Sequence, residues 1–349
     1  MGCINDALNS APAPHPEVRL YQHTKGSVRV TDAIDIIRAT QNGATLIFEN
    51  VDRYNVTLGC FLNALSAELG ESTRCNLYAS SPERQGFPLH FDTHDFFILQ
   101  IAGHKRWKVF PSTVEDPLFF RKDHRAPPPR ESSIYFDSVL APGDTLYVPK
   151  GHWHEAIAHK EPSLHLTLAI FVQTGVDFLL WLTDELRENQ VFRRRFPLLF
   201  QEERNGDRGM TALSASLRDL EQALVAMFSN KSSLASNYLA FLAAKQKMRN
   251  TFSYPDPMLE NPIEQRDYTR FIFPKRPTHI RRKSDGTIDV ITSGRTLTLS
   301  HSALPVITII LSHEPFSVAD LRKQLPTARV EQVCGLLNKL LQDGLIVPI

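Results

Sequence analysis

Apolar residues recur along the chain in three successive rhythms. Between Arg74 and Val172 they alternate with polar residues or form short apolar runs cut by Gly and Pro turns, which predicts a succession of short β-strands. From Thr174 the rhythm turns helical. Residues 178–187, 211–228 and 234–248 set Leu179, Leu182, Leu186, Leu217, Leu220, Leu224 and Phe228 three and four positions apart, as amphipathic helices do. Nearer the C-terminus a hairpin-like pair around residues 284–286 precedes three short helical patterns at 302–311, 318–325 and 327–342. Ser317 is the cap of the second, and the third sets Val330, Val333, Leu336, Leu337 and Leu340 on its core face. Three helices with a hairpin predict a small winged-helix domain.

Ahead of the strand-rich region, residues 1–16 are rich in Pro and Ala and read as a tether. Residues 31–38 carry a capping Thr31 before apolar positions at helical spacing, and 44–50 reads as a buried strand. Leu58, Phe61, Leu62, Leu65 and Leu69 form a helical stripe closed by Gly70. The expected fold is mainly β, a double-stranded β-helix of cupin or jelly-roll type, followed by an α-helical region and the winged helix. Its expected layout is a tether at 1–20, the β domain at 21–175, a helical region at 176–253 and the last domain at 254–349. Residues 112–130 interrupt the strands with both charge signs and Pro127, Pro128 and Pro129 in a row, which no central strand tolerates. They form either a lid over the barrel mouth or a plain surface excursion.

Composition narrows the class. With 349 residues, 42 % hydrophobic and 22 % charged, the chain is an ordinary globular protein, and a formal net charge of +1 exerts no global pull toward nucleic acid or anionic lipid. Cys3, Cys60, Cys75 and Cys334 lack disulfide or metal spacing, which suits a reducing, cytoplasmic compartment. No apolar run approaches the ~18 residues of a membrane span, and the N-terminus has no signal pattern. Met1-Gly2-Cys3 invites myristoylation, but Asp6 stands where Ser or Thr is wanted.

Chemistry concentrates in two places. His90 and Asp92 are two residues apart in a β-rich run and so are expected on one strand face. About sixty residues later PGDTLYVPKGHWHEA offers His152 and His154 after a turn. Two imidazoles with one carboxylate is the donor set of non-haem Fe(II) oxygenases, whereas zinc more usually takes three His or Cys. Parity does not choose between His152 and His154, and His94 shares the face of His90 and Asp92.

Residues 76–110, NLYASSPERQGFPLHFDTHDFFILQIAGHKRWKVF, contain N-x-Y, Q-G-F, H-[FY]-D and G-x-K-x-W. Over residues 70–172 the chain resembles the JmjC-type 2-oxoglutarate oxygenases, and within them the ribosomal oxygenases. The resemblance implies that His90, Asp92 and His154 are the catalytic iron ligands, and that Lys105 holds the distal carboxylate of 2-oxoglutarate. It places Asn76 and Tyr78 in the same pocket, with Thr167 in the strand 163–169; Ala169 stands where the family often has a hydroxyl. Lys105 follows His90 by an odd number, so a turn at Gly103 must bring its ammonium inside, where it needs an anionic partner. His94 and His152 are expected on the substrate side, Trp107 and Trp153 in packing, and His165 in the core or pocket.

The activity so implied uses Fe(II), 2-oxoglutarate and O2 to hydroxylate an amino-acid side chain in a protein or peptide. A free amino acid or natural-product peptide as substrate, N-methyl-lysine demethylation, and a catalytically silent cupin-like binding module are the alternatives. The family also implies a homodimer through the helical region. Arg193, Arg194 and Arg195 read as a solvated face. The third C-terminal helix offers only Arg329 and Lys339 as cations, so nucleic acid is not an expected partner outside a ribosomal context, and no membrane contact is expected.

Overall fold

The computed structural model describes residues 18–22, 26–29, 36, 38, 41–83, 85–118, 126–196, 207–246, 269–326 and 329–349. The tether, most of the 31–38 helix and the Pro-punctuated linker after Tyr254 lie outside them.

Short strands follow one another as the alternation requires: β1 (Val18–Gln22), β2 (Gly26–Arg29), β3 (Thr45–Phe48), β4 (Ser72–Ser80), β5 (His90–Phe91), β6 (Asp95–Ala102), β7 (Lys105–Ser112), β8 (Phe136–Leu140), β9 (Thr145–Val148), β10 (His152–Ala158) and β11 (Ser163–Phe171). They make a seven-stranded sheet, β2-β1-β3-β4-β11-β6-β9, and a four-stranded sheet, β5-β10-β7-β8, with every pairing antiparallel. Helix α1 (Val56–Leu69) is capped by the Asn55 side chain and ended by Gly70 at φ 72°.

Because side chains alternate across a strand, β6 feeds two cores, Phe97 and Leu99 one and Phe96 and Ile98 the other. Cys75, Leu77, Leu164, Leu166 and Leu168 pack with Leu62 of α1 and with Leu46 and Phe48 of β3. On the opposite face Phe96 and Ile98 join Trp107, Val109, Leu140 and Val148, residues of both sheets, to fill part of the barrel interior. Buried polar residues of the same domain include Ser80, Lys105, His154 and His165.

The chain divides into two compact units, and the barrel belongs to the first. The second contains α2 (Gly175–Leu186), α3 (Gln190–Arg193), α4 (Asp207–Ser229) and α5 (Lys231–Lys245). Thr174 and Asp177 close α2 with a reciprocal capping box, and the rings of Phe178, Trp181, Tyr238 and Phe241 stack between α2 and α5. After β12 (Phe271–Ile272), a meander of β13 (Thr278–Arg282), β14 (Thr287–Thr292) and β15 (Arg295–Ser300) also belongs to this unit, where Ile291 packs on Ala240 and Ala243 of α5. The hairpin expected at 284–286 thus forms, with Gly286 at φ 79°, and it packs with α5.

The first unit also holds α6 (Leu304–Ile310), α7 (Val318–Gln324), α8 (Val330–Gln342) and β16 (Val347–Pro348). Ser317 and Asp320 form the capping box expected at α7. Val333, Leu337 and Leu340 are buried as expected, with Cys334 beside them, but Val330 is exposed because it opens α8, ahead of the buried stripe. Two-residue β12 and β16 pair with each other, and Phe316 bridges to Phe271. Among the described residues no helix is long and apolar enough to cross a membrane.

Candidate active site

His90 and His154 face each other as a cross-strand pair on β5 and β10, their ring centroids 4.3 Å apart. Strand β5 is only two residues long, so Asp92 projects from the turn that follows it and does not share a strand face with His90, as alternation alone predicted. The Gly151 amide donates to the Asp92 carbonyl at 2.8 Å, which ties that turn to the one feeding β10. Gly151 adopts φ 79°, and a Cβ there would press on Ser112 and Pro117. These constraints bring one ligating atom from each of His90, Asp92 and His154 within 4.8 Å of one another.

The imidazoles are oriented by backbone. His90 Nδ1 bonds the Pro88 carbonyl at 2.8 Å and His154 Nδ1 the His152 carbonyl at 3.0 Å, so each carries its proton on Nδ1 and leaves Nε2 as the lone-pair donor. His154 Nε2 lies 3.8 Å from an Asp92 carboxylate oxygen. Burial, with His90 next, pushes the His154 pKa down to about 4, so the ring is neutral at neutral pH, as a metal ligand must be.

A register shift separates His154 from His152. Between them β10 advances two residues while β7 advances three, from Val109 to Ser112, with Pro111 in the extra stretch. His154 is buried against Phe96, whereas His152 is half-buried and meets the edge of Tyr135 at 5.8 Å. His94 stands outside the cluster, stacked at 5.0 Å on Phe171, and burial lowers its pKa. Asp95 is structural: one carboxylate oxygen accepts from the Lys150 amide at 2.9 Å and from the Tyr147 hydroxyl at 3.1 Å. Trp153 packs with Phe91 and Phe110 and donates to Thr113 Oγ1 at 2.9 Å.

Deeper in the barrel, Gly103 at φ 65° turns β6 into β7 and Lys105 enters the interior, 4 % exposed. Its ammonium donates to Ser80 Oγ at 2.9 Å and lies 5.9 Å from the Trp107 ring; among the described residues no carboxylate pairs with it. Burial therefore pushes its pKa down to about 7. Ser80 was legible, since it shares parity with Asn76 and Tyr78 on β4, yet the sequence reading passed over it.

Asn76 and Thr167 are cross-strand partners, and His165 is opposite Tyr78, stacked on it at 5.0 Å and 6°. Asn76 Oδ1 accepts the Asn50 amide at 2.9 Å, and Tyr78, hydrogen-bonded to Asn76, has its pKa raised by burial to about 12. Ala169 is buried opposite Phe96, so no hydroxyl is offered there. Among the described residues two buried barrel nitrogens, Trp107 Nε1 and His165 Nδ1, have no hydrogen-bond partner. A buried ammonium with only a neutral partner, beside unfilled ring nitrogens, fits an anionic, acceptor-rich ligand.

The interrupting loop is pinned at both ends. Thr113 Oγ1 donates to the Pro127 carbonyl at 3.1 Å, Lys150 pairs with Asp116 at 2.6 Å, and Val114 and Ala126 pack on the Phe91, Phe110 and Trp153 cluster. Residues 119–125 of that loop are outside the described set.

Residues 60–178 match the JmjC domain family model. The chain is 37 % identical over 131 residues to the bifunctional lysine-specific demethylase and histidyl-hydroxylase NO66 of Drosophila willistoni, covering 35 % of this chain and 17 % of that protein. It is 32 % identical over 177 residues to human ribosomal oxygenase 1, covering 46 % of this chain and 26 % of that protein. The matched part therefore spans about a quarter or less of these relatives. Among solved structures, the Escherichia coli ribosomal oxygenase YcfD in complex with cobalt and 2-oxoglutarate superposes with a TM-score of 0.64 at 16 % identity, over 99 % of this chain and 90 % of that one.

Proposed function

We propose that this chain, which carries a JmjC-type domain of the ribosomal-oxygenase kind, is an Fe(II)- and 2-oxoglutarate-dependent oxygenase that hydroxylates an amino-acid side chain in a protein or peptide. The carrying observation is the pairing of two sites in one barrel: one ligating atom from each of His90, Asp92 and His154 comes within 4.8 Å of the others, and among the described residues Lys105 is buried without a carboxylate partner. The three donors would hold Fe(II) and leave coordination positions for the co-substrate and O2. When bound, the metal supplies O2 activation coupled to oxidative decarboxylation of 2-oxoglutarate to succinate.

The chain's own residues do the rest. Backbone carbonyls orient both imidazoles through Nδ1, and His154 Nε2 faces Asp92 at 3.8 Å. Lys105 anchors the distal carboxylate, and Asn76, Tyr78 and Thr167 line the same cavity wall. Phe96, Trp107 and Val109 exclude water from one side. The relatives' names and the E. coli neighbour's bound 2-oxoglutarate support this reading. Because the Drosophila relative is named for both activities, N-methyl-lysine demethylation is the second reading.

The same proposal assigns the β domain to 21–175 and a dimerisation surface to the helical region, where Leu179, Leu180, Leu217 and Val225 are more than half exposed. Helices α6 to α8 with β12, β16 and the Phe316 bridge serve as the winged-helix-like docking module, in a cytoplasmic protein. The test is mass spectrometry of candidate protein or peptide substrates incubated with Fe(II), 2-oxoglutarate and O2. One added oxygen dependent on both cofactors supports it, while succinate formed without any modified peptide points to a free amino acid substrate.

A further inference from the structure

Asp95 is not one of the clustered donors, yet its carboxylate closes the frame that holds them. Asp92 projects from the turn after β5, and three residues on Asp95 opens β6. Two consecutive amides of the turn before β10 reach these two residues. The Lys150 N–H donates to an Asp95 carboxylate oxygen at 2.9 Å, and the Gly151 N–H donates to the Asp92 carbonyl at 2.8 Å. Strand β10 starts at the next residue, His152, and carries His154. The segment that delivers the carboxylate donor is therefore tied at two points to the segment that delivers the second imidazole. One hydrogen bond would leave the two turns free to pivot about it; the second removes that rotation, and a metal centre needs its donors held to within a fraction of an ångström.

The tie uses an acceptor atom and not a charge. The Lys150 ammonium is taken up by Asp116 at 2.6 Å, so Lys150 meets Asp95 through its backbone. The oxygen that accepts the Lys150 amide also accepts the Tyr147 hydroxyl at 3.1 Å, and an amide carbonyl could accept both as well.

We infer that Asp95 is a positioning residue of the metal centre: its acceptor oxygen clamps the turn before β10 to the turn after β5 and so sets the approach of Asp92 to His154. This rests on the metal-centre reading of His90, Asp92 and His154. The experiment is titration of the full chain with Co(II), read by the visible absorbance of the bound ion, beside urea melts of the metal-free proteins. Asp95→Ala is expected to bind Co(II) about tenfold or more weaker with a shifted absorbance, and Asp95→Asn to recover most of the affinity. Asp144→Ala deletes a comparable acceptor, that of the Ala141 amide at 2.8 Å in the turn joining β8 to β9, and is expected to bind Co(II) as the parent does. An Asp95→Ala protein that melts earlier but binds Co(II) with parental affinity overturns the inference, because Asp95 then serves stability alone. Asp95→Asn as weak as Asp95→Ala overturns it too, since charge would be the cause. Should Asp95→Ala not fold, Asp95→Glu keeps the acceptor and moves it by one methylene; weaker Co(II) binding with a shifted absorbance supports the clamp, and parental binding overturns it. A parent protein that binds no stoichiometric Co(II) removes the metal-centre reading itself, and the inference falls with it.

Discussion

His154 Nε2 lies 3.8 Å from an Asp92 carboxylate oxygen although the two residues are sixty-two positions apart and Asp92 belongs to no strand. A carboxylate and a neutral imidazole nitrogen both offer lone pairs, so their approach, with His90 beside them, makes sense as a cradle for a cation. His90→Ala, Asp92→Ala and His154→Ala are each expected to lose stoichiometric Fe(II) and all succinate formation. His152→Ala is expected to keep its iron. Metal analysis decides it, and the opposite result for His152 and His154 would reverse the assignment.

Removing the Lys105 ammonium separates co-substrate binding from metal binding. Lys105→Ala should retain iron but bind 2-oxoglutarate more weakly by ~2–5 kcal/mol, the usual loss when one partner of a buried charge pair is deleted. Anaerobic titration followed by the metal-to-ligand absorbance measures it. Unchanged affinity would return Lys105 to a structural role.

The depressed pKa of Lys105, about 7, carries a pH dependence with a definite sign. Below that value the free enzyme already holds the proton that the carboxylate needs. Above it the proton must be taken up on binding, so 2-oxoglutarate affinity should fall about tenfold per pH unit from neutral upward. In the unliganded fold the same burial opposes stability fully below pH 7, and the penalty fades as pH rises toward the ordinary lysine value of 10.5. Lys105→Met should accordingly raise unliganded stability at pH 6, on the order of 3 kcal/mol, with little effect near pH 10. Urea melts at the two pH values compare them.

Gly103 is a steric requirement for delivering Lys105. Its φ of 65° and the Pro162 carbonyl against the position of any Cβ leave no room for alanine. Gly103→Ala should cost at least ~1–3 kcal/mol and weaken 2-oxoglutarate with it. A variant as stable as the parent would show that this turn can relax.

Leu179 and Leu217 are 56 % and 51 % exposed in the single chain. If the helical unit self-associates, sedimentation at micromolar concentration should show a dimer, and Leu179→Glu with Leu217→Glu should shift it to monomer. A parent that sediments as a monomer would end the dimer proposal.

Alternation and helical periodicity are local, so the chain announced its strands from 74 to 172, helix α1 with its Gly70 stop, the helices after Thr174 and the Ser317 cap. The residue types announced part of the chemistry as well: His90, Asp92 and one of His152 and His154 make a candidate donor set before any fold is known, while the choice of His154 and the role of Lys105 came from the family resemblance. What could not be read locally depends on register and on partners far along the chain. The extra residue of β7 opposite His152 and His154 decides which histidine turns inward, and parity is blind to it. Asp92 reaches the centre from a turn, positioned by a hydrogen bond to Gly151 that no spacing reveals. Ser80 met the Lys105 ammonium only through the tertiary fold, and the 278–300 strands joined α5 because burial of Ile291 against Ala240 and Ala243 is a tertiary choice.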